Sequence, residues 1–238
     1  MLSSVAIRIR IGEAVSRRAR ECAYGLWQIL VNALAALLLT FTVTADGHAA
    51  GAPTRIVALG DSLTAGYGLP EADAFPVRLQ AWLKAHGVDA EVVNAGVSGD
   101  TTAGGLARLD WALSGKIDAV LVELGANDAL RGLDPDEARG NLDQILSRLQ
   151  QRKLPVLLLG MRSPANWGTD YRDEFDAIYP DLAAAHHVLL YPFFLEGVAL
   201  QPALNQPDGM HPNARGVESI VERVGPYVLR LLGKAAPA

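Results

Sequence analysis

The chain has 238 residues, 50% hydrophobic and 20% charged, a globular composition that excludes a disordered or fibrous protein. This length predicts one domain that can bury a full hydrophobic core. The formal net charge of −5 argues against nucleic-acid binding through a basic face. The single cysteine, Cys22, excludes an intrachain disulfide framework and a thiolate zinc site.

The first fifty residues have the pattern of an export signal. Five arginines precede an uncharged stretch between Glu21 and Asp46, whose centre is the apolar run Leu26–Val43, and small residues follow at 48–52. This order predicts a signal peptide over residues 1–50 and a domain over residues 51–238 that is periplasmic or secreted. Because the run is long enough to span a bilayer, an uncleaved inner-membrane anchor facing the periplasm is the alternative.

From Thr54 onward, short apolar runs alternate with amphipathic segments. Buried parallel strands are predicted at Arg55–Leu59, Ala90–Asn94, Ala119–Leu124, Pro155–Gly160 and Val188–Tyr191. Helices are predicted at Phe75–His86, after a capping Asp134 and through Leu149, at Tyr171–His186 and at Asn213–Leu232. Strand–helix alternation with right-handed crossovers predicts a doubly wound α/β sheet in a three-layer sandwich.

Ligands of such sheets bind beyond the carboxyl ends of the strands, where Ser62 follows the first predicted strand. A serine hydroxyl needs a base before it becomes a nucleophile. His211 is the candidate base, because it lies in a short loop with Asp208 three residues upstream to orient its ring. These three residues are therefore a possible catalytic triad, although Ser62 and His211 are far apart in the sequence.

Acyl transfer also needs hydrogen-bond donors for the developing oxyanion. The candidates are the backbone N–H of Ser62, the backbone N–H of Gly99 and the side-chain amide of Asn127, from three strand ends. Each feature alone has a structural alternative, such as a turn, a helix cap or an exposed histidine. Their order and placement together favour a catalytic site.

Four sequence blocks in this order resemble those of the GDSL, or SGNH, hydrolase superfamily. They are Gly60–Tyr67, Asn94–Thr102, Gly125–Asp128 and Asp208–Asn213. With Met161–Gly168 and Ala177–Pro180, the chain is most similar to the bacterial periplasmic acyl-CoA thioesterase I, lysophospholipase and arylesterase group, over about residues 54–232. Two departures are Ala126, where glycine is common, and Ser163, where a larger apolar residue is usual; the second leaves a long-chain preference open.

The resemblance implies a flavodoxin-like sandwich with five parallel strands, the SGNH hydrolase fold. It implies a serine esterase or thioesterase that hydrolyses aryl esters, acyl thioesters and lysophospholipids. In these terms Ser62 is the nucleophile, His211 the base and Asp208 its orienting acid, while Ser62, Gly99 and Asn127 form the oxyanion hole. No metal or cofactor is implied, and the sequence has no phosphate loop or dinucleotide fingerprint.

The expected partner is a small acyl ester or lipid and not a nucleic acid, and the protein is expected to be a monomer. Membrane association is expected only through an uncleaved N-terminal segment. Leu130, Met161, Trp167 and Phe194 are predicted to line an apolar groove for the acyl or aryl group, with ordinary core packing as the alternative. Two other functions stay open: a carbohydrate O-deacetylase of the same superfamily, and a non-catalytic lipid- or carbohydrate-binding module.

Overall fold

A computed structural model describes residues 52–234, whose strands form one five-stranded parallel sheet. The strands are β1 (Thr54–Gly60), β2 (Ala90–Gly96), β3 (Ala119–Glu123), β4 (Val156–Leu159) and β5 (Leu189–Tyr191), in the spatial order β2-β1-β3-β4-β5. The chain adds β2 on one side of β1 and then β3, β4 and β5 on the other side. The strand order therefore reverses between β1 and β3, the position where sheets of this order bind ligands. The predicted signal or anchor over residues 1–50 lies outside the described residues.

Burial explains the composition of the strands. Every residue of β3 and β4 is buried, because helices cover both faces of the sheet there, and both strands are correspondingly apolar except for Glu123 at the end of β3. The edge strand β2 is buried only at alternate residues for much of its length. In the register, Gly60 lies opposite Gly96 on one side and Glu123 on the other. The ends of β1, β2 and β3 are thus level, so the loops that follow them meet.

Eight α-helices occur within residues 52–234. They are α1 (Ser62–Ala65), α2 (Phe75–Ala85), α3 (Thr102–Ala107), α4 (Leu109–Ala112), α5 (Ala126–Arg131), α6 (Pro135–Gln151), α7 (Thr169–His186) and α8 (Ala214–Leu231). Helices α2 and α8 pack together, while α6 packs against α3 and α7. Right-handed crossovers in this strand order place α2 on one face and α3, α6 and α7 on the other. The predicted three-layer α/β/α sandwich is confirmed.

The long helices begin within two residues of their predicted starts, and α7 begins at Thr169, two residues before the predicted Tyr171. Asp134 caps α6 by accepting a hydrogen bond from the Asp136 N–H, with Pro135 in the first helical position. Asn213 lies just before α8 and not within it, and its side chain caps the helix by accepting from the Gly216 N–H. Within the described part of the chain, no helix is both long enough and apolar enough to cross a membrane.

Four short helices, α1, α3, α4 and α5, are missing from the sequence prediction. Ser62 begins α1 and Asn127 lies in α5, so two predicted loop positions are helical. Segments of four to six residues are too short to show a helical apolar period, and α3 also contains two glycines that normally weaken a helix. This difference matters for the chemistry, because Ser62 and Asn127 each lie in the first turn of a short helix and not in an irregular loop.

Candidate active site

Ser62 lies in a tight turn that links β1 to α1. Asp61 caps α1, with its Oδ1 accepting a hydrogen bond from the Leu63 N–H at 3.0 Å. Gly60 is required there, because a Cβ would lie 2.1 Å from Oγ1 of Thr64. The helix is a single turn that ends at Gly66 in the left-handed conformation. This geometry leaves Ser62 partly exposed at the carboxyl edge of the sheet.

His211 connects Ser62 to Asp208. Its Nε2 lies 2.9 Å from Oγ of Ser62, and its Nδ1 lies 2.7 Å from Oδ2 of Asp208. A carboxylate at Nδ1 assigns the ring proton to that nitrogen, which leaves Nε2 free to accept the serine proton. The structure therefore brings the three residues of the predicted triad together in one hydrogen-bonded chain.

The Asp208 carboxylate is fixed by its own turn. Its Oδ1 accepts hydrogen bonds from the backbone N–H groups of His211 at 3.0 Å and Met210 at 2.9 Å. These backbone hydrogen bonds, that of His211 first, lower the pKa of Asp208 to about 2. Asp208 is therefore ionised at neutral pH, as an acid that orients an imidazole and stabilises the imidazolium must be.

Gln206 ties the His211 segment to the turn after Ser62. Its Nε2 donates to the carbonyl oxygens of Tyr67 at 2.7 Å and Pro212 at 3.0 Å, while its backbone N–H donates to the His211 carbonyl. The Tyr67 ring lies 4.7 Å from the His211 ring, centroid to centroid. These contacts join two segments that are 149 residues apart at Ser62 and His211.

Asn127 lies in the first turn of α5 beside the serine turn. Gly125, with φ of 114°, turns the chain from β3 into this helix, and the Tyr179 hydroxyl occupies the space where a Cβ would lie. The Asn127 amide donates to Oδ2 of Asp61 at 3.0 Å and to the Asp100 carbonyl at 2.9 Å. Both amide hydrogens are engaged, so a bound oxyanion must displace or share one of these acceptors.

Gly99 is the other predicted oxyanion donor. It lies in the exposed loop between β2 and α3 with φ of 87°, in the left-handed region. Its carbonyl accepts a hydrogen bond from Nη2 of Arg131 at 2.8 Å, and the next carbonyl, that of Asp100, is bound by Asn127. The structure therefore places the Gly99 loop next to Asn127.

A pair of buried carboxyl groups, those of Asp61 and Glu123, lies beside the turn that carries Ser62. Oε2 of Glu123 accepts from Oγ1 of Thr64 at 2.7 Å and from the backbone N–H of Asp61 at 3.3 Å, while Oε1 has no partner among the described residues. Burial raises the pKa of Asp61 to about 6. Burial and the neighbouring Asp61 charge raise the pKa of Glu123 well above its usual range. Glu123 is thus the carboxyl that keeps its proton.

The four predicted groove residues divide into two pairs. Leu130 is 48% exposed and Trp167 is 44% exposed, and the Trp167 indole Nε1 donates to the Ala129 carbonyl at 2.7 Å. Met161 and Phe194 instead belong to the core. Phe194 is buried, and its ring packs edge-on against Phe75 at 5.0 Å. The burial of Met161 and Phe194 favours the core alternative for these two residues.

Three residues that support the site have little or no signal in the sequence. Glu123 has a weak one, because it is a carboxylate at the end of an apolar strand. Gln206 and Arg108 are single polar residues in segments that contain many others. Only their contacts identify them, those of Gln206 given above and those of Arg108 with the Gly60 and Ala95 carbonyls. Residues 52–234 contain no cluster of His, Cys, Asp or Glu that could hold a metal ion.

Residues 58–218 match the GDSL-like lipase/acylhydrolase family. The chain belongs to this family. The arylesterase of Vibrio mimicus is 40% identical over 200 residues, which cover 84% of this chain and 98% of the relative. Thioesterase 1/protease 1/lysophospholipase L1 of Escherichia coli K12 is 45% identical over 179 residues, which cover 74% of this chain and 81% of the relative.

Solved structures of GDSL-like hydrolases agree with this assignment. AlinE4, an SGNH-hydrolase family esterase, is 51% identical with a TM-score of 0.65, covering 79% of this chain and 99% of its own. The psychrotrophic esterase EstA from Pseudoalteromonas is 31% identical with a TM-score of 0.72, covering 76% of this chain and 100% of its own. The predicted family and the predicted ester-hydrolase class are confirmed.

Proposed function

We propose that this GDSL-like hydrolase uses Ser62, His211 and Asp208 as its catalytic triad. The observation that carries the proposal is the hydrogen-bonded chain from Asp208 through both ring nitrogens of His211 to Ser62, at 2.7 Å and 2.9 Å. A hydroxyl, an imidazole and an ionised carboxylate in this order form the arrangement that activates a serine nucleophile. A binding module has no need of such alignment, which favours the enzymatic function.

The reaction begins when Ser62 Oγ attacks the acyl carbonyl carbon and its proton passes to Nε2 of His211. The Asp208 carboxylate stabilises the imidazolium, and the carbonyl oxygen becomes an oxyanion. Its proposed donors are the backbone N–H groups of Ser62 and Gly99 and the Asn127 amide, which exchanges an Asp61 or Asp100 contact for the oxyanion. Collapse breaks the bond to the alcohol or thiol, which takes the proton from His211.

Hydrolysis of the acyl-enzyme repeats these steps with water. His211 removes a proton from water, the resulting hydroxide adds to the acyl carbon, and collapse releases the carboxylic acid and regenerates Ser62. The site needs no metal or cofactor for either half of the reaction. Acid–base transfer and oxyanion binding are supplied by side chains and backbone groups within residues 52–234.

The proposed substrates are acyl esters with an apolar acyl or aryl group: aryl esters, acyl thioesters and lysophospholipids. Leu130 shares helix α5 with Asn127, and Trp167 contacts the same helix through the Ala129 carbonyl, so both offer exposed apolar surface near Asn127. The names of the relatives, arylesterase and thioesterase 1/lysophospholipase L1, support the same classes. We propose that the natural substrate is a lysophospholipid or another exported ester, since free acyl-CoA is not a periplasmic metabolite.

We also propose that the domain is a monomer that acts outside the cytoplasm, in the periplasm or after secretion. Support comes from the export pattern of residues 1–50, and an inner-membrane anchor facing the periplasm is the alternative. Cell fractionation followed by intact mass measurement tests this directly. If the protein in the periplasmic fraction has lost the mass of the signal peptide, cleavage is supported. If the protein is in the membrane fraction with the mass of the full chain, the anchor is supported.

The catalytic proposal is tested with p-nitrophenyl esters from acetate to palmitate. The wild type is compared with Ser62→Ala and with the control Ser114→Ala, an exposed serine whose carbonyl binds Arg55 away from the site. Loss of the nucleophile is expected to lower kcat by about 10³-fold or more, while the control keeps full activity. Equal activity of Ser62→Ala and wild type contradicts the triad, and activity restricted to sugar acetates favours the O-deacetylase.

A further inference from the structure

Arg108 lies between α3 and α4 and makes three hydrogen bonds at the carboxyl edge of the sheet. Its Nη2 donates to the Gly60 carbonyl at 2.8 Å, its Nη1 to the Ala95 carbonyl at 2.7 Å, and its Nε to Oδ2 of Asp100. The side chains of Arg108 and Asp100 are 17% and 18% exposed. One partly buried guanidinium therefore joins the end of β1, the end of β2 and the loop after β2.

Two of these acceptors, the Gly60 carbonyl and the Asp100 carboxylate, belong to residues next to the proposed oxyanion donors along the chain. Gly60 precedes Asp61 and the nucleophile Ser62, and its carbonyl also accepts the Val97 N–H at 3.0 Å. Asp100 directly follows Gly99. The Asp100 carbonyl accepts from the Asn127 amide at 2.9 Å, so the residue held by Arg108 is also the residue that holds Asn127. Ser62 is thus two residues from the Gly60 contact of Arg108, and Gly99 is one residue from the Asp100 contact. Asn127 is connected to Arg108 through Asp100.

The chemistry of the side chain suits this task. A guanidinium presents its N–H groups in a rigid planar fork, which can hold three acceptors at fixed relative positions. The Asp100 carboxylate compensates the charge, and charge-assisted hydrogen bonds are stronger than neutral ones. A lysine at the same position has a flexible stem and a compact ammonium, so it cannot reproduce the planar fork.

We propose that Arg108 is a positioning residue for the oxyanion hole. It fixes the spacing between the Ser62 turn and the Gly99–Asp100 segment, and through the Asp100 carbonyl it orients the Asn127 amide. This inference rests on the proposed function. Since the oxyanion forms only on the way to the tetrahedral intermediate, loss of Arg108 lowers kcat and leaves KM nearly unchanged.

The test compares Arg108→Gln and Arg108→Lys with the control Arg55→Gln in the full chain. Arg55 also uses its guanidinium to bind carbonyls, those of Ser114 and Lys116, but at the amino end of β1. The measurements are kcat and KM for p-nitrophenyl butyrate, inhibition by an alkylboronic acid that forms a tetrahedral serine adduct, and Tm. For Arg108→Gln we expect a loss of about 10- to 100-fold in kcat and a proportional loss of boronate affinity.

Arg55→Gln is expected to keep kcat and boronate affinity even where it lowers Tm. Wild-type kcat in Arg108→Gln overturns the inference, and so does a rise in KM alone. If both Arg108 variants fail to fold, Asp100→Asn replaces them: it keeps the carbonyl that binds Asn127 and weakens the contact to Arg108. A several-fold fall in kcat at constant KM then supports the inference, and wild-type kcat overturns it.

The failure of this inference is distinguishable from failure of the proposed function. An alkyl fluorophosphonate labels an activated serine, and the modified residue is identified by mass spectrometry. If the wild type labels at Ser62 while Arg108→Gln keeps wild-type kcat, only the positioning role of Arg108 is wrong. If the wild type does not label at Ser62, the triad itself is wrong, whatever the Arg108 variants show.

Discussion

The backbone N–H of Asp61 donates to Oε2 of Glu123 at 3.3 Å, so the residue before Ser62 is supported by a fully buried carboxyl group. The same oxygen accepts the Thr64 hydroxyl at 2.7 Å. Glu123 thus contacts the chain on both sides of Ser62. Because the neighbouring Asp61 carboxyl is also buried, a neutral Glu123 avoids a second negative charge beside it.

Glu123→Gln is therefore expected to fold and to keep most of the wild-type kcat. A raised carboxyl pKa means that the folded state retains a proton that the unfolded state has lost, so this group's contribution to stability falls as pH rises above its unfolded pKa. Glutamine has no such titration. The free energy of unfolding of Glu123→Gln minus that of the wild type is therefore expected to increase with pH from about 4.5 upward.

Chemical denaturation from pH 4 to pH 9 gives this difference, because the titrations of groups distant from Glu123 are shared by the two proteins and cancel, which leaves those of Glu123 and its neighbour Asp61. Glu123→Ala serves as the matched variant that removes the acceptor altogether, and it is expected to lower both stability and kcat. A difference that stays constant with pH, or a large loss of kcat in Glu123→Gln, contradicts a neutral Glu123.

Asp208→Asn is expected to lower kcat by about 10²- to 10⁴-fold, because an amide in place of the carboxylate no longer fixes the His211 tautomer or stabilises the imidazolium. The control is Asp143→Asn. Asp143 also contacts a histidine, His186, through Nε2 at 2.7 Å, but on a distant surface. Steady-state kinetics on p-nitrophenyl butyrate should separate the two variants, and equal kcat values exclude the catalytic role of Asp208.

The pH dependence of wild-type stability has a component from Asp208 with a definite sign. Its folded pKa of about 2 lies below the ordinary value of 3.8, so its contribution to stability is complete above pH 3.8 and is lost as pH falls toward 2. Loss of activity at pH 4 or 5 is therefore not a titration of Asp208. In Asp208→Asn the acid-induced loss of stability below pH 3.8 is expected to be shallower.

Trp167→Ala is expected to change the acyl-chain profile more than the rate on acetate. The exposed indole is held by its bond to the Ala129 carbonyl and lies over Gly132, where it offers an apolar wall. Loss of that wall removes about 1–2 kcal/mol of burial for a long acyl chain, which is about 5- to 30-fold in kcat/KM. Trp111→Ala, at a 73% exposed position on α4, is the control. Equal profiles for both variants exclude Trp167 from the groove.

The sequence predicts the strands and helices that have a sustained apolar pattern or a recognisable capping residue. The strands are short and mostly apolar, and α6 begins with a capping aspartate and a proline, so their positions are predicted to within a few residues. Helices of one turn, such as α1, have no period to detect. Phe194 shows a second limit of sequence-based prediction. The sequence indicates that Phe194 lies in a loop after a strand, but it does not indicate that the side chain packs in the core against Phe75.

The candidate site divides in the same way. Ser62, Asn127 and the His211 segment are predictable because each directly follows a strand or precedes the last helix, and parallel strands bring such positions to one edge. Arg108 is not predictable, because its role depends on three acceptors from separate segments. Such contacts exist only once the strands have assembled into the sheet, so the sequence alone does not indicate them.

The proposed nucleophile, Ser62, and its proposed base, His211, are held by different parts of the fold. Ser62, Gly99 and Asn127 follow three neighbouring strands, whereas Asp208 and His211 lie between β5 and α8, in a segment joined to the serine turn by Gln206 and the Tyr67 ring. Opening of that segment alone would separate His211 from Ser62 while the strand pairing of the sheet stays intact. We therefore expect activity to be lost before the sheet unfolds, and to return when the segment closes again.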